Sequence, residues 1–148
     1  MNLLQTIHDR WADDADLTLL LPATSDKDTN KVWTGLDFNP ALPFASIEKL
    51  GGSPEQYDNC DTAIDRVAIR IQVFTEDHDQ GEDIIRAIKA AFDRSDFTLA
   101  GGSSSSSGED AEAVLNMQRT NDSQFQEEDG TWRFVIDFDA WVYLPYGY

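Results

Sequence analysis

The stretch TAIDRVAIRIQVFTEDHDQGEDIIRAIKAAF, residues 62–92, carries the two clearest structural signals in this chain of 148 residues. In its first half apolar residues recur at every second position, as in a β-strand. The mostly apolar face of this strand holds Ala63, Asp65, Val67, Ile69, Ile71 and Val73. Its second half changes to helical spacing, with an apolar stripe of Ile84, Ile85, Ile88, Ala91 and Phe92. We predict that this helix starts in a capping box, with Asp79 as the cap and Glu82 three residues later. A strand followed by an amphipathic helix implies a sheet on which the helix packs.

Weaker signals of the same two kinds extend in both directions from this unit. The spacing of Leu3, Leu4, Ile7 and Trp11 predicts a first amphipathic helix. Strands are predicted at 32–34, from 43 to the Gly51-Gly52 pair, at 114–120 and at 131–144; a loop is predicted at 53–61 and a polar turn at 121–130. We therefore predict one α+β domain over residues 1–148, with a mostly antiparallel or mixed sheet of four to five strands and two helices packed on one face.

Residues 100–112 interrupt this pattern with a run of glycine and serine. Gly101, Gly102, five serines and Gly108 leave nothing that could pack into a core, and the run is too short to separate two domains. We predict a flexible loop inside the domain.

The charge is strongly one-sided, with 28 acidic and 11 basic side chains and a formal net charge of −17. A groove that grips DNA, or a surface that binds an anionic membrane, needs the opposite sign. Among the acids there are 20 Asp and 8 Glu. That bias is typical of adaptation to high salt, and the same surface would also repel another polyanion, so both explanations stay open.

The single cysteine, Cys60, excludes an intrachain disulfide. Residues 1–10 lack the basic and then apolar order of a secretory signal, and no window has the roughly 18 apolar residues of a membrane span. We expect a soluble, unsecreted protein that has no membrane partner.

The residues that usually carry chemistry do not form a recognisable site. His8, His78 and Cys60 have no evident partners, and one Cys with two distant His cannot make a zinc site. The segment Asp26-Lys27-Asp28-Thr29-Asn30 has the first three oxygen positions of a calcium loop, but Lys31 stands where that loop needs Gly and Asp37 where it needs Glu. We predict no metal and no cofactor.

Asp137 and Asp139 lie on one face of the last predicted strand. Paired carboxylates can act as acid and base if their surroundings differ, whereas the simpler interpretation is the wet face of a half-exposed strand. We adopt the second interpretation and predict no catalytic residue, so the protein is not expected to be an enzyme.

Aromatic residues mark the candidate contact surface instead. Trp141 and Tyr143 share the face of Asp137 and Asp139, and large aromatics on a nominally wet face favour contact with another chain. Cover by a helix or by the N-terminal segment is the alternative. The predicted interface with another chain consists of Trp33, Phe38, Asp137, Asp139, Trp141, Tyr143, Tyr146 and Tyr148.

The order of these patterns resembles the tail terminator, or tail completion, family of long-tailed bacteriophages. The resemblance covers nearly the whole chain and rests on hydrophobic and turn patterns. Its features are the first helix, Leu42–Ile47, Val67–Thr75, the helix Gly81–Phe92, Phe97–Leu99 and Arg133–Val142.

The resemblance implies a virion structural protein: a homo-oligomeric ring, expected to be a hexamer, at the head-proximal end of the tail. It would cap the tail tube, stop its polymerisation and meet the head–tail connector or neck protein, after assembly in the host cytoplasm. DNA would pass through the lumen without specific binding, and a hexamer would carry a formal charge of −102, six times −17. A neck or head–tail joining protein, and a small-molecule-binding α+β regulatory domain, are the alternatives.

Overall fold

The computed structural model describes residues 3–35, 41–57, 63–93, 97–98 and 113–144. The elements, in chain order, are α1 (Leu3–Asp13), α2 (Ala15–Leu20), β1 (Val32–Trp33), β2 (Phe44–Tyr57), β3 (Ala63–Thr75), α3 (His78–Phe92), β4 (Phe97–Thr98), β5 (Ala113–Gln126) and β6 (Trp132–Leu144). The strands form one sheet in the order β1-β2-β3-β6-β5-β4. Only the β1–β2 pair is parallel. The predicted α+β class with a mixed sheet is confirmed. The sheet has six strands and not four to five because Phe97–Thr98 adds the short strand β4, and there are three helices where two were predicted.

The core lies between one face of the sheet and the helices. The alternating residues of β3 (Val67, Ile69, Ile71 and Val73) and the predicted stripe of α3 belong to one buried cluster. Trp11 of α1 is fully buried there, donates its indole N–H to the carbonyl of Leu21 at 2.9 Å and lies 6.4 Å from the Phe92 ring. Burial of these large apolar side chains holds the helices on the sheet.

Helix α3 begins two residues earlier than predicted. Asp77, in extended conformation, is the N-cap: its carboxylate accepts the backbone N–H of Asp79 at 3.0 Å. The buried Thr75 hydroxyl accepts the N–H of Asp77 at 3.1 Å and so links the end of β3 to the helix start. Asp79 is therefore a residue of the first turn, and the capping box predicted at Asp79 and Glu82 is wrong.

Two strands are longer than predicted. Strand β2 continues through residues 53–57 of the loop predicted at 53–61, because it remains paired with β3 as far as Tyr57 opposite Ala63. Strand β5 continues through most of the predicted turn as far as Gln126, which pairs with Trp132. Every described residue of β5 from Gln118 onward is exposed, so no apolar alternation marks this half of the strand.

The short helix α2 follows an acidic cap. Asp14, the residue after α1, accepts the backbone N–H of Leu17 at 3.0 Å and so caps the start of α2. None of the three described helices has the length and apolar character that crossing a membrane needs. The predicted flexible loop at 100–112 lies outside the described residues, as does Cys60.

Candidate functional site: the open face of the sheet

The face of the sheet that points away from the core holds the candidate site. Phe44 and Val135 are buried on this face but do not belong to the core cluster, which places them on the opposite side from the helices. Because side chains alternate along β6, the same face carries Asp137, Asp139, Trp141 and Tyr143. We call this side of β2, β3, β6 and β5 the open face.

One ion pair crosses the middle of the open face. Arg70 stands opposite Asp137 in the β3–β6 register and donates from Nε to Oδ1 at 2.9 Å and from Nη2 to Oδ2 at 3.2 Å. This bidentate bond raises the pKa of Arg70 above its ordinary value. Asp137 therefore holds Arg70 in place, which is a structural role.

A second polar chain runs across the same face. Gln72 donates from Nε2 to Glu48 Oε1 at 2.7 Å, and its Oε1 accepts from both Nε and Nη2 of Arg133. The Arg133 guanidinium carbon lies 5.5 Å from the Phe74 ring centroid and 5.3 Å from that of Phe125. Arg133 is thus held between two aromatic rings and fixed by hydrogen bonds.

Asp139 differs from Asp137 in having no hydrogen bond or ion pair with the described part of the chain. Its carboxylate lines a shallow concavity of about 390 Å³ that also involves Gly51, Gly52, Ser53, Arg66 and Ala68. Small residues and backbone form most of this wall, so a side chain from another molecule has room to reach Asp139.

The open face is balanced in charge although the chain is strongly acidic. Its described charged residues on the four central strands are three acids, Glu48, Asp137 and Asp139, and three bases, Arg66, Arg70 and Arg133. The excess of 17 negative charges therefore resides elsewhere in the chain. A balanced and hydrogen-bonding surface suits contact with another protein better than contact with DNA.

The structure brings together four of the eight predicted interface residues. Asp137, Asp139, Trp141 and Tyr143 lie on the open face, and the two aromatic side chains are half-buried. Trp33 is on β1, separated from β6 by β2 and β3, and it lines a different cavity beside α1. Phe38, Tyr146 and Tyr148 lie outside the described residues.

Sequence reasoning did not identify Arg70, Gln72 and Arg133 as members of this surface. Alternation along each strand predicts the face on which these three side chains lie. Their hydrogen-bond partners, however, depend on which strands are neighbours in the sheet. The available signal is the mixed face of β3, where Arg66, Arg70 and Gln72 alternate with the core residues.

Residues 26–30, the segment with the first oxygen positions of a calcium loop, lie before β1. Asp26 accepts the backbone N–H of Asp28 at 2.9 Å in a local turn. In the described ranges there is no group of three His, Cys, Asp or Glu residues that could hold a metal ion.

Comparison with known proteins gives two findings. The family model described as tail completion protein gp17 matches residues 5–143. A solved chain described as belonging to the virion of a native gene transfer agent (GTA) particle has a similar fold, with a TM-score of 0.65 and 14% sequence identity over 95% of this chain and 94% of that chain. At that identity the likeness is one of fold. No curated protein matches in sequence.

Proposed function

The chain belongs to the tail completion protein gp17 family, and from this we propose that it is a tail terminator, a hexameric ring that caps the tail tube and stops its polymerisation. The family makes it a structural protein of the virion tail that assembles with other tail or head proteins. In the proposed role the ring sits at the head-proximal end and joins the tail to the head connector, without any catalytic step. The match over residues 5–143 is the observation that carries this proposal.

The open face is the surface that contacts the tail tube in this proposal. It presents fixed polar groups, because Arg70 and Arg133 are already held by Asp137, Gln72 and the flanking rings. Side chains that are ordered before binding lose less conformational entropy when a partner docks. Because its described charges balance, this face adds no repulsion of its own toward an acidic partner.

Asp139 is the residue of this face that receives a group from the partner. A carboxylate in a concavity, with no hydrogen bond to the described chain, is matched by a lysine or arginine side chain. In this proposal the net charge of −17 repels the DNA that passes through the ring, so the DNA is surrounded but not retained.

Replacing Asp139 with lysine tests this contact. We expect Asp139→Lys to bind tail-tube ends about tenfold more weakly or worse, because a cation would then face the partner's cation. The measurement is the fraction of isolated tubes capped at one end, counted by electron microscopy over a range of protein concentrations.

The matched control is Asp28→Lys, which makes the same charge change at an exposed residue in the loop before β1. Equal capping by the two variants would reject Asp139 as a contact residue. Loss of capping by both variants would show that net charge, and not this site, governs binding.

A further inference from the structure

In the part of the chain that the structure describes, the outer edges of β2 and β5 are mostly unpaired with another strand. On its outer side β5 pairs with β4 only at Ala113 and Val114, and β2 pairs with β1 only at Ala45 and Ser46. Within the described ranges no other strand lies beside the rest of β2 or β5. An exposed strand edge is a template for another chain.

Each of these strands carries an exposed leucine at a β-bulge. Leu50 falls in the bulge between Lys49 and Gly51, and Leu115 falls in the bulge between Val114 and Asn116. Their exposed fractions are 48% and 46%. The four exposed large hydrophobic residues of the described chain are Leu19, Leu50, Leu115 and Phe125, and three of them are on β2 or β5.

The edge strands are also the part of the surface with little charge. Strand β2 contains Glu48, Lys49 and Glu55, and strand β5 contains Arg119 and Asp122. Together they contribute −1 of the formal −17. Two copies of so acidic a chain therefore repel each other only weakly where these strands meet.

We propose that the β5 edge of one copy docks beside the β2 edge of the next copy, with Leu115 and Leu50 as the apolar contacts. The two edges lie on opposite sides of one sheet, so the contact is heterologous and repeats around a ring. Asp93 already accepts the backbone N–H of Arg119 at 3.1 Å, so this group is not free to bond the neighbouring copy. The proposed contact is therefore made mainly by side chains and not by a continuous ladder of backbone hydrogen bonds. The open face stays available for the tail tube. This inference rests on the proposed ring and assigns its subunit contacts.

The test uses three leucine-to-lysine variants of the full chain. Leu50→Lys and Leu115→Lys each place a charge in one proposed edge contact, and Leu19→Lys makes the same change on α2, where the side chain is 85% exposed. We expect the first two variants to self-associate about tenfold more weakly or worse, and Leu19→Lys to behave as the unmodified chain does. Sedimentation velocity measures assembly, and circular dichroism melting shows that all three variants fold.

A mixture of Leu50→Lys and Leu115→Lys tests directly whether the two edges contact each other. Each retains one intact edge, so a mixture of Leu50→Lys and Leu115→Lys should form dimers containing one of each and no larger ring. Assembly that is unchanged in both variants would overturn the edge contact while leaving the proposed ring intact. Dimers of Leu50→Lys alone would indicate a symmetric β5–β5 contact and would also overturn it. An unmodified chain that stays monomeric with tube ends present would instead reject the proposed function.

Discussion

Gly81 lies where α3 passes closest to β6. A Cβ atom at this position would overlap the ring of Phe134, and that ring is hemmed in by His78 and Trp132 at centroid distances of 5.6 Å and 6.4 Å. The glycine therefore allows the helix to approach the sheet more closely than any other residue would. At most helix positions alanine is the more stable choice, so the space at this point decides against it.

We predict that Gly81→Ala destabilises the fold by about 1–3 kcal/mol, because overpacking outweighs the gain in helix propensity. Urea unfolding measures the difference. The control is Gly81→Ala combined with Phe134→Leu, which makes room for the methyl group and should recover part of the loss. A single variant more stable than the unmodified chain would contradict the close packing.

Asn30 connects the loop before β1 to helix α1. Its Oδ1 accepts from His8 Nε2 at 3.1 Å and from the backbone N–H groups of Thr24 and Val32 at 3.2 Å, and its Nδ2 donates to the Val32 carbonyl at 2.7 Å. The amide orientation is thus fixed, and His8 must carry its proton on Nε2 to donate to it.

We predict that Asn30→Ala lowers the free energy of unfolding by about 1–3 kcal/mol, since it leaves partly buried N–H groups without their acceptor. Asn121→Ala is the matched control at an exposed strand residue and should change stability by less than about 0.5 kcal/mol. Similar losses in chemical denaturation of the two variants would reject the role given to Asn30.

At the scale of elements, α3 is tied to β5 by charge as well as by packing. Asp122 Oδ2 lies 2.7 Å from Lys89 Nζ and 2.7 Å from Arg119 Nη1. The hydrogen bond from Lys89, followed by that from Arg119, holds the pKa of Asp122 below its ordinary value of 3.8. The pKa of Asp122 is lower in the folded chain than in the unfolded chain. The ionised carboxylate therefore stabilises the fold above pH 3.8, and this stabilisation is lost as the pH falls through the folded-state pKa.

We predict that Asp122→Asn is less stable than the unmodified chain at pH 7 and that the gap narrows on acidification below about pH 4. Both chains are unfolded in urea at pH 7, 5 and 3, and the difference between them isolates this carboxylate from the other acids. A gap of constant size across this range would show that Asp122 acts through shape and not through its charge.

The helices and strands differ in how well sequence patterns predict them. The stripe of α3 was predictable because its spacing is local and its burial is one-sided. The far half of β5 was not, since every side chain there is exposed and only pairing with β6 keeps it extended. The cap of α3 was misplaced by two residues because Asp77 and Asp79 are both suitable caps, and the chain geometry after Thr75 selects the first.

At the scale of the whole molecule, the open face depends on contacts that span the chain. Arg70 and Asp137 are 67 residues apart, and their pairing follows from β3 and β6 being neighbours in the sheet. Alternation placed Asp137, Asp139, Trp141 and Tyr143 on one face correctly, but it could not show that Asp137 pairs with Arg70 while Asp139 has no such pair in the described chain. The described charged residues of the open face sum to zero, and strands β2 and β5 contribute only −1 of the formal −17.

The central claim is that this chain ends tail-tube growth, and the length distribution of tails assembled without it tests that claim most directly. Particles lacking the chain are imaged by electron microscopy beside particles that contain it. The account predicts overlong tails of variable length whose head-proximal ends lack a ring, with normal length restored when the chain is supplied. Tails of normal length that remain unattached to heads would contradict it and would assign the chain to the neck.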